Sequence, residues 1–159
     1  MAHFVLHFDG SCWPNPGGTA AWGFVLKEFN RADALPRLIF KNSGVTGTNP
    51  VMSNNVAEFD ALYYGLEYLS AHLEQRVKSG SVEPDTLTVY GDSQLVVNMM
   101  SGIWSPKKDK LYYPFWRKAF NAHADLEVLK GLSIDYTWIP REQNTECDDL
   151  SKEHNHAPL

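Results

Sequence analysis

Residues 86–97 read TLTVYGDSQLVV, and this stretch predicts the fold class of the chain. Its first five residues are mostly β-branched or aromatic, which is typical of a strand. Asp92 follows shortly, and apolar residues then recur at helical spacing from Leu95 to Met100. A strand that leads directly into a helix is typical of α/β proteins, in which helices pack on the faces of a sheet.

Further strands are predicted on both sides of this stretch. Short β-rich runs indicate strands over residues 3–8, 20–27, 37–41 and 132–139. The first three would form an antiparallel meander. Asp9-Gly10-Ser11 would end the first strand in a turn, and residues 42–53 are predicted to be a loop.

Apolar residues at helical spacing predict three more helices. They cover residues 56–69, 111–129 and 146–153. Asn55 is a suitable N-cap for the first of them, with Glu58 three residues further on. Pro114 is expected in the first turn of the second, where its missing N–H is tolerated. The alternation of strands and helices in the second half predicts a mixed sheet with helices on its faces.

Length and composition are those of a soluble globular protein. The 159 residues fit one domain, residues 1–159, and 43% of them are hydrophobic and 21% charged. No apolar run approaches the roughly 20 residues that a membrane helix needs, and the first residues do not resemble a signal peptide. Cys12 and Cys147 indicate neither a disulfide framework nor a zinc cluster. We therefore expect a cytoplasmic monomer without a membrane partner.

The net charge of −5 argues against nucleic acid as a partner, because phosphate contacts usually need a basic surface. The objection weakens if several acidic residues are metal ligands. Two bound divalent cations would add four positive charges and so change the net charge from −5 to −1.

Four acidic side chains stand at predicted ends of strands or helices, where ligand sites gather in α/β sheets. They are Asp9, Glu58, Asp92 and Asp148, the last with Asp149 beside it. Each also has a purely structural interpretation. Asp9 could form a turn and Glu58 could complete a capping box. Asp92 could cap a helix, and Asp148 could be favoured by the helix dipole.

The residues around these acids resemble the four motifs of type 1 ribonuclease H, in the order of that family. The matching segments are DGS at 9–11 with NPGG at 15–18, NNVAE at 54–58, YGDSQLVV at 90–97, and PREQN at 140–144 with CDDLS at 147–151. The resemblance extends over nearly the whole chain. It implies a ribonuclease H-like fold of the α/β class: a five-stranded mixed sheet, made of an antiparallel meander of three strands plus two parallel strands, with helices on both faces.

The resemblance also implies an activity. Members of the family hydrolyse the RNA strand of RNA–DNA hybrids by two-metal-ion catalysis and leave 5′-phosphate and 3′-hydroxyl ends. Asp9, Glu58, Asp92 and Asp148 match the family's catalytic and metal-binding acids. The expected cofactor is Mg²⁺, as two ions with substrate, and Mn²⁺ is a possible substitute. Asp148 is preferred to Asp149, because a small residue precedes the family's fourth acid.

Further residues match positions at which the family contacts its substrate. Backbone groups of Gly10, Ser11 and Cys12 would read 2′-hydroxyl groups, which distinguish RNA from DNA. The amides of Asn15, Asn54 and Gln94 would contact the minor groove of the hybrid. Ser53 and Asn55 would hold a phosphate of the DNA strand. Helix capping and turn formation remain the alternative explanation of these polar residues.

The chain departs from many members of the family in two places. No histidine lies between Trp138 and Asp148, so Arg141 is the local candidate for a contact with the leaving group or a phosphate. His154 and His156 follow the fourth acid and are more typical of a solvated tail. The family's basic protrusion is replaced by region 107–118, whose lysines and aromatic residues could bind DNA or form core and solvated surface.

Two other functions fit parts of the pattern. A different nuclease or strand-transfer enzyme on the same fold would share the acids, but not the paired asparagines before Glu58. A catalytically weak or silent nucleic-acid-binding module would share the fold, although the presence of all four acids speaks against it. A small-molecule hydrolase would need a nucleophile and base pair, for which Ser11 and Ser93 offer no histidine partner.

Overall fold

A computed structural model of the chain describes residues 2–29, 35–77 and 85–153. Within these residues, five strands and four helices are formed. The strands are β1 (His3–Trp13), β2 (Thr19–Phe29), β3 (Pro36–Thr48), β4 (Thr86–Gly91) and β5 (Ser133–Trp138). The helices are α1 (Asn54–Val77), α2 (Gln94–Met100), α3 (Tyr113–Lys130) and α4 (Thr145–Lys152), with a 3-10 turn at Arg141–Gln143 before α4.

The strands form one mixed sheet in the order β3-β2-β1-β4-β5. β1 pairs with β2, and β2 with β3, in antiparallel fashion. β4 lies parallel to both β1 and β5. The predicted meander of three strands plus two parallel strands is therefore confirmed.

One face of the sheet packs against α1. On this face β1 buries the fully inaccessible side chains of Phe4, Leu6 and Phe8. α1 covers them with apolar residues at helical spacing, among them Val56, Phe59, Leu62, Leu66 and Leu69. Burial of each such side chain stabilises the fold by about 1.5–3 kcal/mol. Gly10 allows the close approach of α1, since a Cβ there would lie 2.3 Å from the backbone of Ala57.

The opposite face packs against α4, so helices cover both faces as predicted. Gly23 faces α4, and a Cβ at this position would lie 2.7 Å from the Cβ of Leu150. Cys147 and Ser151 of α4 are fully buried. Asp9 pairs with Gly23 in the β1–β2 ladder, so that its side chain points toward the α4 face.

Two predicted boundaries in the sheet are wrong. β1 continues through Asp9-Gly10-Ser11 to Trp13, so these residues form strand rather than a turn. β3 extends to Thr48, whereas residues 42–48 were expected in a loop. In both places the ladder with β2 supplies the backbone hydrogen bonds, which a local reading of turn-forming residues does not reveal.

The predicted helix caps also need correction. α1 already begins at Asn54, so Asn55 is not its N-cap and Glu58 lies beyond the first turn. Ser93 caps α2, because its side chain accepts a hydrogen bond from the backbone N–H of Val96, and this leaves Asp92 without that role. Pro114 does lie in the first turn of α3, as expected.

Among the residues that the structure describes, no helix is both long and apolar enough to cross a bilayer.

Candidate active site

The topology brings the predicted acids to one end of the sheet. β1 and β4 are parallel neighbours, and their ladder pairs His7 with Tyr90. Asp9 and Asp92 each follow two residues later, and therefore lie near the same end. Glu58 approaches from α1 and Asp148 from α4, the helices on the two opposite faces. All four acids line one cleft of about 470 Å³.

Three of the acids form a tight cluster. One carboxylate oxygen from each of Asp9, Glu58 and Asp92 lies within 4.8 Å of the others, a spacing that could hold a metal ion. Asp9 and Glu58 are only 3% and 7% exposed. Asp148 lies beside this trio, within hydrogen-bonding reach of Asp9. The structural alternatives for the first three acids, a turn, a capping box and an N-cap, are thus not what these side chains do.

The cluster is electrostatically crowded. Burial, and then the charges of Asp92 and Asp148, raise the pKa of Asp9 to about 8. Burial and the neighbouring Asp9 raise the pKa of Glu58 well above its usual range. One oxygen of Glu58, Oε2, is buried and has no hydrogen-bond partner among the described residues. Carboxylates that repel each other, with one buried oxygen left without a partner, fit a divalent cation, which prefers oxygen ligands.

Asp148 differs from the trio because cations of the protein contact it. Lys152 Nζ lies 3.0 Å from its Oδ2, and a terminal nitrogen of Arg141 lies 3.5 Å from its Oδ1. Burial alone would raise the pKa of Asp148, but the hydrogen bonds with Lys152 and Asp9 and the charges of Lys152 and Arg141 together outweigh burial, and the pKa is lowered. Asp149, to which Asp148 is preferred as the fourth acid, is exposed and does not line the cleft.

Three hydrogen bonds fix the backbone around the acids. Asn144 donates from Nδ2 to the carbonyl of Phe8, over 2.8 Å. Trp138 donates from its indole nitrogen to the carbonyl of Asp92, over 3.1 Å. Ser11 donates from its hydroxyl to the carbonyl of Ser151 in α4, over 3.1 Å.

Sequence reasoning had assigned no role to Asn144, Trp138 or Lys152. In the sequence, Asn144 stands out only as the last residue of the PREQN segment, and Trp138 only as the start of the link to Asp148. Spacing offered one usable signal for Lys152, which stands four residues after Asp148 and so shares its helix face.

Most of the residues matched to RNA contacts lie at this cleft. Gly10, Ser11, Cys12 and Asn54 line it, together with Trp13, which is 63% exposed. Asn54 accepts a hydrogen bond through Oδ1 from the backbone N–H of Cys12, over 2.7 Å. Its own backbone N–H donates to Oδ1 of Asn15, over 3.2 Å. The two asparagines are therefore brought together beside the acids.

The residues matched to a DNA phosphate lie in a second groove. Ser53 and Asn55 line it with Leu95, Met99, Ile103, Trp104, Ser105, Lys107, Lys110, Leu111 and Tyr112, and its volume is about 790 Å³. Gln94 is exposed at the start of α2 and lines neither cavity.

Region 107–118 contributes both to the core and to the exposed surface. Tyr112 is buried and Trp116 packs against the core, whereas Lys107 and Lys110 are exposed at the second groove. Lys118 instead forms an ion pair with the buried Asp60, at 3.3 Å. His154 and His156 lie outside the described residues.

The mixed sheet thus carries an acidic cleft at the ends of its parallel strands, the usual place of a ligand site in an α/β domain, and three of the carboxylates could hold a metal ion. A family model described as RNase H matches residues 1–155. The chain belongs to the RNase H family.

Two relatives match more than nine tenths of this chain. A bifunctional protein of Mycobacterium tuberculosis is 31% identical over 149 residues, which are 94% of this chain and 34% of that protein. Ribonuclease HI of Halobacterium salinarum is 30% identical over 147 residues, 92% of this chain and 61% of the relative. The chain thus spans about a third to three fifths of the length of these relatives.

Solved structures agree with the fold. The N-terminal RNase H domain of the Mycobacterium tuberculosis protein has a TM-score of 0.69 at 28% identity, with 96% of this chain and 93% of that chain covered. RNase H1 of Halobacterium salinarum has a TM-score of 0.67 at 29% identity, with 95% and 96% covered. A compost-derived RNase H1, solved with an RNA/DNA hybrid, has a TM-score of 0.68 at 27% identity, with 92% of each chain covered.

Proposed function

We propose that this chain is an endoribonuclease that hydrolyses the RNA strand of RNA–DNA hybrids and leaves 5′-phosphate and 3′-hydroxyl ends. The observation that carries the proposal is the carboxylate trio of Asp9, Glu58 and Asp92, within 4.8 Å, in a cleft of an RNase H family chain. A relative of the same fold has been solved with an RNA/DNA hybrid.

The four acids are the proposed catalytic and metal-binding residues. Asp9, Glu58 and Asp92 would hold Mg²⁺ through the clustered oxygens, and Asp148, in the same cleft, would add a further carboxylate ligand. Two ions would be held when substrate is present. Divalent cations at such a site supply an activated water and stabilise the leaving oxygen of an in-line displacement. Mn²⁺ also accepts oxygen ligands and is a possible substitute.

The asparagines beside the acids would recognise the RNA strand. Because Oδ1 of Asn54 accepts from Cys12, and Oδ1 of Asn15 accepts from Asn54, each amide presents its Nδ2 group as the donor on its other side. Donors of this kind fit 2′-hydroxyl oxygens and base edges in the minor groove of an RNA-containing duplex. Backbone groups of Gly10 and Ser11 lie next to them in the same cleft. Gln94 would reach the minor groove of the hybrid from the start of α2.

The second groove would hold the DNA strand. Ser53 and Asn55 offer hydrogen-bond donors to a phosphate, and Lys107 and Lys110 add positive charge. Trp104, 44% exposed, offers an apolar surface for a sugar or base. This local basic surface would let a chain of net charge −5 bind nucleic acid.

Arg141 would take part of the role that a loop histidine plays in other members of the family. Its guanidinium lies at the cleft and near Asp148, and its side chain is 67% exposed. An always-charged group in this position fits a contact with the leaving oxygen or a phosphate of the RNA.

We also propose that residues 1–159 act as one catalytic domain and as a monomer in the cytoplasm. The free thiols of Cys12 and Cys147 would stay reduced in that compartment.

The test is a cleavage assay with end-labelled RNA–DNA hybrid, duplex RNA and duplex DNA, in Mg²⁺, in Mn²⁺ and with chelator. We expect cleavage of the hybrid's RNA alone, and only with metal. Asp148→Asn should abolish it, whereas Asp149→Asn, the matched neighbour that is exposed outside the cleft, should not. A folded protein that binds the hybrid in both metals and leaves it intact would be a silent binding module, and cleavage of DNA would indicate a different nuclease.

A further inference from the structure

Asp148 has a protein cation at each of its two carboxylate oxygens. Lys152 Nζ lies 3.0 Å from Oδ2, and Arg141 lies 3.5 Å from Oδ1. Both basic side chains line the cleft that the acids line. The other three acids have no ion pair of this kind among the described residues, and they repel each other instead. The charge of Arg141 also reaches Asp92, but among the described residues Asp148 is the acid of the four with protein cations at ion-pair distance.

The backbone of Lys152 is fixed, whereas its side chain is free to move. α4, which carries it, is fixed to the sheet by the buried residues Cys147 and Ser151 and by the hydrogen bond from Ser11. The Lys152 side chain itself is 46% exposed, and its four-carbon stem is flexible. Its ammonium group can therefore leave Asp148 for solvent without any movement of the helix.

We propose that Lys152 is a positioning residue that acts as an internal counter-cation of Asp148 and competes with divalent metal for Oδ2. The inference rests on the function proposed above. Without metal, Lys152 keeps the Asp148 carboxylate directed into the cleft. Use of Asp148 as a metal ligand then requires Lys152 to release Oδ2, so that the lysine lowers the affinity of the free protein for the cation.

A direct test is calorimetric titration of the substrate-free protein with Mn²⁺. Lys152→Gln removes the charge and keeps most of the length, and should tighten Mn²⁺ binding by about 2- to 5-fold, the range expected for a partly exposed ion pair. Lys152→Arg keeps the charge and should bind like the wild type. Lys41→Gln is the matched control, because Lys41 pairs with Glu146 of the same helix at 3.9 Å, away from the cleft.

A double-mutant cycle separates direct competition from a general change in charge. In the Asp148→Asn background, Lys152→Gln should leave Mn²⁺ affinity unchanged. The inference is overturned if Lys152→Gln alone binds no more tightly than the wild type, or if it tightens binding equally in both backgrounds. A wild-type protein that binds no Mn²⁺ would overturn the proposed function as well, whereas normal binding without a Lys152 effect would overturn the counter-cation role alone.

Discussion

Asn144 donates a hydrogen bond from Nδ2 to the carbonyl of Phe8, over 2.8 Å, and so ties the start of α4 to the residue before Asp9. Asn144 is 2% exposed and Phe8 is fully buried. The bond therefore sets the position of α4, and with it Asp148, relative to the first acid. Neither residue touches the cleft, so the contribution is one of positioning.

Asn144→Ala should weaken both the fold and the activity. The carbonyl of Phe8 would lose its side-chain donor in a buried place, which costs about 1–3 kcal/mol in the free energy of unfolding. Without this bond α4 should shift, so that Asp148 moves relative to Asp9 and kcat falls. Urea unfolding and hybrid cleavage, both measured with metal present, check the two effects. Asn121→Ala, at an exposed position of α3, is the control and should change neither; an Asn144 variant as stable and active as this control would contradict the assignment.

The stability of the metal-free protein should depend on pH because of the acidic trio. Asp9 has its pKa raised to about 8 in the folded protein, so the folded state binds more protons than the unfolded state between the ordinary carboxyl pKa and that value. Its contribution is fully present below the ordinary pKa and is lost as the pH rises through about 8. The raised pKa of Glu58 acts in the same direction.

Thermal unfolding in chelator should therefore show Tm falling from about pH 5 to about pH 9. Mg²⁺ should restore Tm most strongly at the upper end of this range, since it compensates the charges that appear there. Asp9→Asn should flatten the profile and raise Tm at high pH in chelator. A metal-free profile that rises with pH over this window would show that the carboxylates are not crowded as described.

The four acids could be predicted because the segments around them resemble one family's motifs in order, whereas each acid alone also has a structural interpretation. Asp92 follows a β-rich run and precedes a helical pattern, and Asp148 opens the last amphipathic segment. A mixed sheet with helices on its faces also followed from the strand–helix alternation, whereas the order of the five strands was not predicted. The length of β3 did not follow, since residues 42–48 carry weak strand preferences and form strand because β2 pairs with them.

The supporting hydrogen bonds could not have been predicted in the same way. The bond of Asn144 joins residues 136 positions apart, and that of Trp138 joins residues 46 apart. Nothing in the residues near either partner indicates the other. Likewise, the sequence groups Lys118 with the other basic residues of region 107–118. Only the position of Asp60 on α1 shows that Lys118 forms an ion pair that stabilises the fold.

Trp138→Phe should slow catalysis with little change in KM. The substitution keeps the ring and removes the indole N–H that fixes the carbonyl of Asp92 at 3.1 Å. Loss of one neutral hydrogen bond, about 0.5–1.5 kcal/mol, corresponds to a fall of about 2- to 10-fold in kcat. Tyr136→Phe is the control: it removes a hydroxyl of β5 that bonds His123 at 2.8 Å, away from the acids. Equal kcat values for the two variants would count against a role of Trp138 at the site.

Replacement of both Lys107 and Lys110 by Gln should weaken hybrid binding and its dependence on salt. These lysines line the second groove, and each phosphate contact that is lost should reduce the slope of log affinity against log salt by about 1. Binding measured at several salt concentrations, in Ca²⁺ to prevent cleavage, gives that slope. kcat at saturating hybrid should stay near the wild-type value, because neither lysine lines the acidic cleft.

Lys118→Gln distinguishes the groove from the rest of the basic region. Lys118 pairs with Asp60, whose side chain is only 4% exposed, and it lies 4.5 Å above the centre of the Tyr63 ring. Its loss leaves a buried carboxylate with a neutral partner, so the free energy of unfolding should fall by about 1–2 kcal/mol. The salt slope should stay unchanged, because the charge of Lys118 is paired with Asp60 and would not contact a phosphate. If Lys118→Gln instead lowered the salt slope as the groove lysines are expected to, the DNA strand would run along α3 rather than through the groove beside Ser53 and Asn55.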